Sequence, residues 1–285
     1  MADIHGYETT IDNVPFRLKS PFDFLFLKKY GQIFKVLDDQ DSGNICFGVV
    51  DDSGQKYFVK FAGAPTVRAN LNAEEAIAVL KQNVTLYHDL THPCLSRLIS
   101  VEDIGGGFAI KFEWADAICM GRQYPEEHQQ FMALPLATRV KIFEDILAFH
   151  VNVAAQGYVA IDFYDGSIMF NPTNTKTVIC DIELYEKMPY INNMGRMFGS
   201  SRFMSPEEFI LGAEIDEVSN VYTMGATAFA LLAEYDRTPE KWLLDVRLYN
   251  IVQKAVSDER NKRQQSIRQL VKEWEKANKK PILLP

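Results

Sequence analysis

The chain has few cysteines, no long apolar run and no excess of positive charge, and each lack removes a class of protein. Its four cysteines, Cys46, Cys94, Cys119 and Cys180, lie far apart in mostly apolar surroundings, without the short spacings that a zinc site or a redox pair requires. They are expected as reduced, partly buried thiols, as in a cytoplasmic protein. The longest apolar stretch, MGATAFALLA from Met224, is about half of what a bilayer crossing needs and reads as a core helix. The start, MADIHGYETT, has no basic segment followed by an apolar one, so no secretory signal is expected. A formal charge of −8 repels nucleic acids and anionic membranes, and neither is expected as a partner. Internal repeats and low-complexity linkers are also missing.

What is present suffices for two unequal lobes: 285 residues, 47% hydrophobic and 24% charged. QIFKVL, ICFGVV and KYFVKF are β-branched and aromatic runs separated by DDQDSGN and DDSG, which predicts an antiparallel meander between Gly31 and Phe61. A helix is predicted from near Asn72 to Leu90, with Ile77, Leu80, Val84 and Tyr87 on one apolar face and Asn72 with Glu75 as a capping box. LSRLISVED and GFAIKFEW flank Gly105 to Gly107 as a hairpin. LATRVKIFEDILAFHVNVAAQG has helical spacing ending at Gly157, and SIRQLVKEW puts Ile267, Leu270, Val271 and Trp274 on one stripe. The expected division is an extension over 1–21, a β-rich lobe with one helix over 22–114 and a mainly helical lobe over 115–285.

Three charged residues stand in or at the end of strand-like runs. YFVKF holds Lys60, YVAIDFYDGSIMFN holds Asp162 and TVICDIELY holds Asp181. Magnesium-dependent phosphoryl transfer needs a cation for phosphate oxygens, a carboxylate to orient a nucleophile and a carboxylate for the metal. Taken singly, each has a plainer reading: a strand lysine ordinarily snorkels to water, and an aspartate at a strand end ordinarily caps a turn.

The order of these parts resembles the protein kinase superfamily over nearly the whole chain, as a divergent eukaryotic-like serine/threonine kinase. YFVKF is similar to the strand-three lysine motif, LTHPCLSRLI to the segment after the regulatory helix, and FEWADA to the hinge between lobes. QGYVAIDFYDGSIMF resembles the catalytic loop, CDIE stands where the family has DFG, and GSSRFMSPEE resembles the end of the activation segment. The resemblance implies a bilobal α+β fold, ATP and Mg²⁺ as cofactors, and a protein substrate or partner. It makes Lys60 a ligand of the phosphates, Asp162 the catalytic carboxylate and Asp181 the metal ligand. Phe112 becomes the gatekeeper, with the backbone of Glu113 and Ala115 as adenine contacts. It also implies that Arg263 pairs with Glu207.

Several positions depart from that pattern. Ala160 and Ile161 replace the usual His and Arg, so regulation through activation-loop phosphorylation is not expected. Ser167 stands where an asparagine binds the second magnesium, which predicts a weaker metal site; Asn171 substitutes only if the loop is longer than it reads. Ile182 and Glu183 replace the Phe and Gly of DFG. The phosphate loop has only Gly43 and holds Asp38, Asp39 and Asp41, whereas phosphate favours several glycines and no acids. Strand alternation places Phe58 on the side of Lys60, where its ring crowds an adenine pocket. The usual interval for the lysine's acidic partner falls on Asn83, leaving Glu75 as the nearest acid. Three readings follow: a serine/threonine protein kinase, a pseudokinase that binds or scaffolds without efficient transfer, and a small-molecule kinase of the antibiotic-phosphotransferase type, against which SPEE and Arg263 count.

Overall fold

A computed structural model describes residues 6–40 and 42–278. The fold is α+β, with six α-helices and several small antiparallel sheets among the described residues. The chain divides into two units: residues up to His88 with Ser96–Ala115, and Asp89–Leu95 with the chain from Asp116 onward.

In the first unit, β1 (Tyr7–Ile11) and β2 (Val14–Leu18) form a hairpin whose two turn residues, Asp12 and Asn13, both have positive φ, 48° and 67°. Paired left-handed residues give the primed turn that matches strand twist. Residues 7–18 of the stretch expected as an extension are thus folded, and Phe16 and Leu18 enter the aromatic core.

Next come β3 (Gln32–Leu37), β4 (Asn44–Val50), β5 (Lys56–Ala62), α1 (Ala73–Asp89), β6 (Leu98–Ile104) and β7 (Gly107–Glu113). The strands make one antiparallel sheet in the order β3-β4-β5-β7-β6, so the expected meander is its first half. Gly105 and Gly106, with φ of 61° and 75°, close the β6–β7 hairpin with Ile104 opposite Gly107. Alternation then divides the sheet. Ile45, Phe47, Val49, Val59 and Phe61 pack with Leu18, Phe24 and Leu27 in the core, and Phe24 meets Phe47 edge-on at 5.2 Å. Cys46, Gly48, Phe58, Lys60, Ile110 and Phe112 stand on the other face, fixed by the pairings Cys46↔Lys60↔Ile110 and Gly48↔Phe58↔Phe112.

The buried stripe of α1 is rotated from the predicted one. Ala76, Leu80, Asn83 and Tyr87 are buried, whereas Ile77 and Val84 are half-buried. A small residue is required at the helix start: a Cβ on Gly43 would lie 3.1 Å from Ala76 Cβ, so Ala76 faces inward and brings Asn83 with it.

The second unit contains β8 (Ile118–Cys119), α2 (Pro125–Met132), α3 (Leu136–Ala155), β9 (Tyr158–Val159), β10 (Ile168–Asn171) and β11 (Lys176–Ile179). These are followed by β12 (Glu186–Lys187), β13 (Tyr190–Ile191), β14 (Glu214–Ile215), α4 (Glu217–Ala233), α5 (Val246–Ala255) and α6 (Ile267–Asn278). Gly157, at φ 75°, follows the end of α3 as its spacing predicts. Asp216 caps α4 by accepting from the N–H groups of Val218 and Ser219, at 2.8 and 3.4 Å. Beyond Glu217 every residue of α4 is buried, which fits a core helix made of MGATAFALLA. On α6 the predicted stripe Ile267, Leu270, Val271 and Trp274 is buried, each side chain contributing roughly 1.5–3 kcal/mol. Among the described residues no helix is long and apolar enough to cross a membrane. All four cysteines are free thiols.

One local pairing matters most for the site. β10 and β11 are antiparallel with Ile168 opposite Ile179, so the loop before β10 and the residues after β11 leave the sheet at the same end. That places the Asp162 loop beside Asp181.

Candidate functional site

On the first unit, Lys60 sits mid-strand in β5, half-buried, on the face it shares with Phe58 as alternation predicts. That face is aromatic. The Phe58 and Phe112 rings are 6.2 Å apart, and Tyr87 from α1 lies 4.8 Å from Phe112. Phe34 and Trp114 meet edge-on at 4.8 Å directly over Gly48, where an added Cβ would come within 2.7 Å of Phe34 and 3.0 Å of Trp114.

The remaining first-unit candidates make local structural contacts. Asp38 accepts from the Arg17 backbone at 2.7 Å and Asp39 pairs with Arg68 at 2.5 Å; Asp41 lies outside the described residues. Gly43 allows close approach of its loop to α1. Glu75 and Asn72 exchange backbone hydrogen bonds of 3.0 Å each, the predicted capping box. The Glu113 N–H donates to the Arg97 carbonyl at 2.9 Å, its carboxylate accepts from Arg97 Nε at 3.0 Å, and Ala115 is half-exposed.

On the second unit the two aspartates come together. Both have left-handed backbones, φ 59° for Asp162 and 62° for Asp181, a conformation that costs a non-glycine residue about 1–3 kcal/mol and persists only where its surroundings impose it. For Asp162 those surroundings are visible. Asn220 of α4 both donates to and accepts from the backbone of Ala160, each at 2.7 Å. Ile161 is buried in a cluster with Val159 and Met204, and Phe163 packs on the ring of His150 at 4.5 Å.

Tyr164, two residues beyond Asp162, feels the charge of both carboxylates. Burial pushes its phenol well above the usual value, and the charges of Asp181 and then Asp162 push it further. Asp162 also faces a shallow recess with Ser200, Phe203, Met204, Glu208 and Thr223, and its Oδ1 lies 3.5 Å from where a Cβ on Gly199 would stand. Asp181 itself is exposed.

Ser167 is fully buried, its N–H donating to the Tyr164 carbonyl and its own carbonyl accepting from Cys180; among the described residues its Oγ has no hydrogen-bond partner. Asn171 is not at this site, since its Oδ1 caps the β10–β11 turn through Thr173 and Asn174. Ile182 is fully buried and Glu183 half-buried.

Two exposed or half-exposed carboxylates suit a hard cation such as magnesium, which takes one or two carboxylates and completes its shell with water and phosphate oxygens. Among the described residues no group of three or more His, Cys, Asp or Glu is placed to hold a metal with protein ligands alone.

The pair implied by the resemblance forms. Arg263 donates to both oxygens of Glu207, at 2.7 and 2.9 Å, and Arg260 adds a third bond at 3.0 Å. Burial pushes the Glu207 carboxyl up, but Arg263, a backbone hydrogen bond and Ser219 hold it below the usual range. Next to it, burial and then Glu207 and Asp162 push the Glu208 carboxyl up to about 7 against the hydrogen bonds of Ser205.

Sequence reasoning missed Tyr164, Asn220 and Arg202. The Arg202 guanidinium donates to buried Asp165 at 2.9 Å, three residues beyond Asp162. A charged residue inside DFYDGS was the one available signal, because an aspartate so near an apolar strand must be paired when buried.

No protein-family model matches the chain, and no curated protein matches it significantly.

Proposed function

We propose that the chain is a divergent protein-kinase-like phosphotransferase of bilobal α+β architecture, working in the cytoplasm and transferring phosphate from ATP to a serine or threonine of a protein with magnesium. The observation that carries this reading is that Asp162 and Asp181 lie at one end of the β10–β11 pair, both on left-handed backbone, with the charge of each raising the Tyr164 phenol. The antiparallel sheet with Lys60 in its middle strand and the Glu207–Arg263 pair support it.

In this reading Asp162, facing the recess beside Ser200, aligns the acceptor hydroxyl and receives its proton late in the transfer. Asp181, after β11, would hold the magnesium, with Ser167 at the end of the Asp162 loop as the further oxygen this reading assigns to it. When bound, magnesium would neutralise charge on the phosphate oxygens. Lys60 is the cation that this reading assigns to the phosphates.

A second reading is favoured by one observation. With Phe34 and Trp114 meeting edge-on over Gly48, the sheet face does not fit an adenine ring, and no role is derived for a base there. A non-catalytic binding module, a pseudokinase, has no need of that space. The two readings separate on magnesium-dependent transfer of labelled phosphate from ATP to a mixed serine/threonine peptide pool by the wild-type chain and by Asp162→Asn. Transfer that disappears in the variant supports the enzyme. Absence of transfer in wild type supports the binding module, and equal transfer in both removes Asp162 from the chemistry.

A further inference from the structure

Beside the Asp162 loop, two arginines lie against the Tyr235 ring, and a third, Arg237, is tied to one of them. The Arg122 guanidinium carbon lies 3.8 Å from the centre of the Tyr235 ring and that of Arg202 at 5.4 Å. Arg237 donates to the Arg202 carbonyl at 3.4 Å and to the Tyr222 hydroxyl at 3.1 Å. The tyrosine is held from below: its hydroxyl donates to Asp165 at 2.6 Å, the fully buried carboxylate that also receives Arg202. Its backbone is left-handed, φ 68°, directly after Glu234 at φ 52°, where the C-terminus of α4 returns a hydrogen bond from Tyr235 N–H to the Phe229 carbonyl at 3.0 Å. A bulky residue in that conformation is rare, and the fold here spends it on holding the ring in place.

Among the described residues Asp165 is the one carboxylate hydrogen-bonded to any of the three arginines. The cluster therefore has an excess of positive charge in a chain whose formal charge is −8. Arg122 makes no hydrogen bond or ion pair among the described residues, yet its stacking on Tyr235 fixes the plane of its guanidinium. A stacked guanidinium keeps its N–H edge free for two parallel bonds to a planar or tetrahedral anion.

We propose that Arg122 and Arg202, stacked on Tyr235, form a recognition site for an anionic side chain, carboxylate or phosphomonoester, of the polypeptide that the second unit binds next to Asp162. This rests on the reading that the second unit takes a polypeptide, so the test reads binding rather than transfer. Arg122 selects the anion directly, and Asp165 and Tyr235 act as positioning residues. The proposal reverses the simplest inference from net charge, which is that an acidic protein takes a basic partner.

The full chain is titrated, without ATP, with a peptide array in which a central serine is flanked at each position in turn by glutamate, phosphoserine, alanine or lysine. Wild type is expected to bind the best glutamate or phosphoserine peptide about tenfold more tightly than its alanine counterpart, the scale of one charge-assisted contact. Arg122→Ala, at an exposed position, is expected to erase that difference while leaving the alanine peptides unchanged. The ratio of glutamate to phosphoserine binding assigns the source of the charge. Equal binding of acidic and neutral peptides by wild type, or a preference that survives in Arg122→Ala, overturns the proposal. So does an Arg122-dependent response to inorganic phosphate alone, with none to the peptides. A chain that binds acidic peptides through Arg122 and transfers no phosphate keeps this site and loses the enzymatic reading.

Discussion

The Lys60 face of the first unit and the Asp162 loop of the second are built from opposite materials. The Lys60 face sets Lys60 beside Cys46 and Ile110 and carries its rings two residues along: Phe58, Phe112 opposite it, and Phe34 with Trp114 over Gly48. Around Asp162 the neighbours are polar groups under constraint: a clamped backbone at Ala160, a left-handed aspartate, a phenol raised by both carboxylates, and three residues on the buried Asp165 carboxylate paired with exposed Arg202. An aromatic face gains from burial and tolerates change in its exposed members. A strained polar loop is costly to build and is retained where its geometry is used. The comparison teaches that the proposed chemistry rests on the second unit, while the first unit is better built to pack than to hold a base.

The largest expected effect falls on the polar side. Asp162→Asn should lower magnesium-dependent phosphate transfer by about 10²–10⁴-fold, the range for removing a positioned proton acceptor, in a single-turnover assay. Near-normal rates would mean that the strained loop serves structure alone.

Stability comes next. Arg263→Ala leaves the buried Glu207 carboxylate with Arg260 and Ser219 as its side-chain partners. The loss should be about 3 kcal/mol by urea unfolding, at the low end for a broken buried pair because Arg260 remains. A loss below about 0.5 kcal/mol would place the pair among surface bridges.

Two buried groups give pH effects of opposite sign. Burial holds the His150 imidazole down to about 4, so its neutral form is favoured in the folded state. Stability from this group is full above the unfolded value of 6.5 and is lost as pH falls from there towards 4. Glu208, held up at about 7, behaves in reverse: its contribution is full below 4.5 and is lost as pH rises towards 7. Melting temperature against pH should therefore lose its acid-side fall in His150→Phe and its rise-linked loss in Glu208→Gln. Unchanged slopes in both variants would contradict the burial of these groups.

The smallest effect tests the aromatic side. Phe34 is 37% exposed, so Phe34→Ala should cost less than about 1 kcal/mol of stability and tighten ATP binding about tenfold by clearing the Gly48 face. Weaker binding would show that the ring belongs to the site.

Much of this was legible in the sequence, for physical reasons. Period-two runs gave the meander, paired glycines at Gly105 and Gly106 gave the hairpin, and the stripe from Ile267 to Trp274 gave α6. Glu207 with Arg263 was legible through the order of motifs. Other features depend on contacts distant in sequence. Nothing local says that Phe34 will meet Trp114, eighty residues away, or that Asn220 will clamp Ala160. The inward face of α1 was misjudged because apolar periodicity weighs Ile77 and Val84 above Ala76, whereas close approach to Gly43 selects the small residue. The β1–β2 hairpin escaped because its strands are five residues each and mix charged with apolar positions. Tyr235 escaped because a tyrosine is not expected in a left-handed cap.

Thermal unfolding of the wild-type chain with ATP, with and without magnesium, beside Asp181→Ala, tests the central claim most directly. At about a hundred times its dissociation constant a ligand stabilises the native state by about 2.7 kcal/mol, which is readily measured. The account predicts a shift that needs magnesium and disappears in Asp181→Ala. A shift indifferent to magnesium, one that persists in Asp181→Ala, or none even in Phe34→Ala would contradict it.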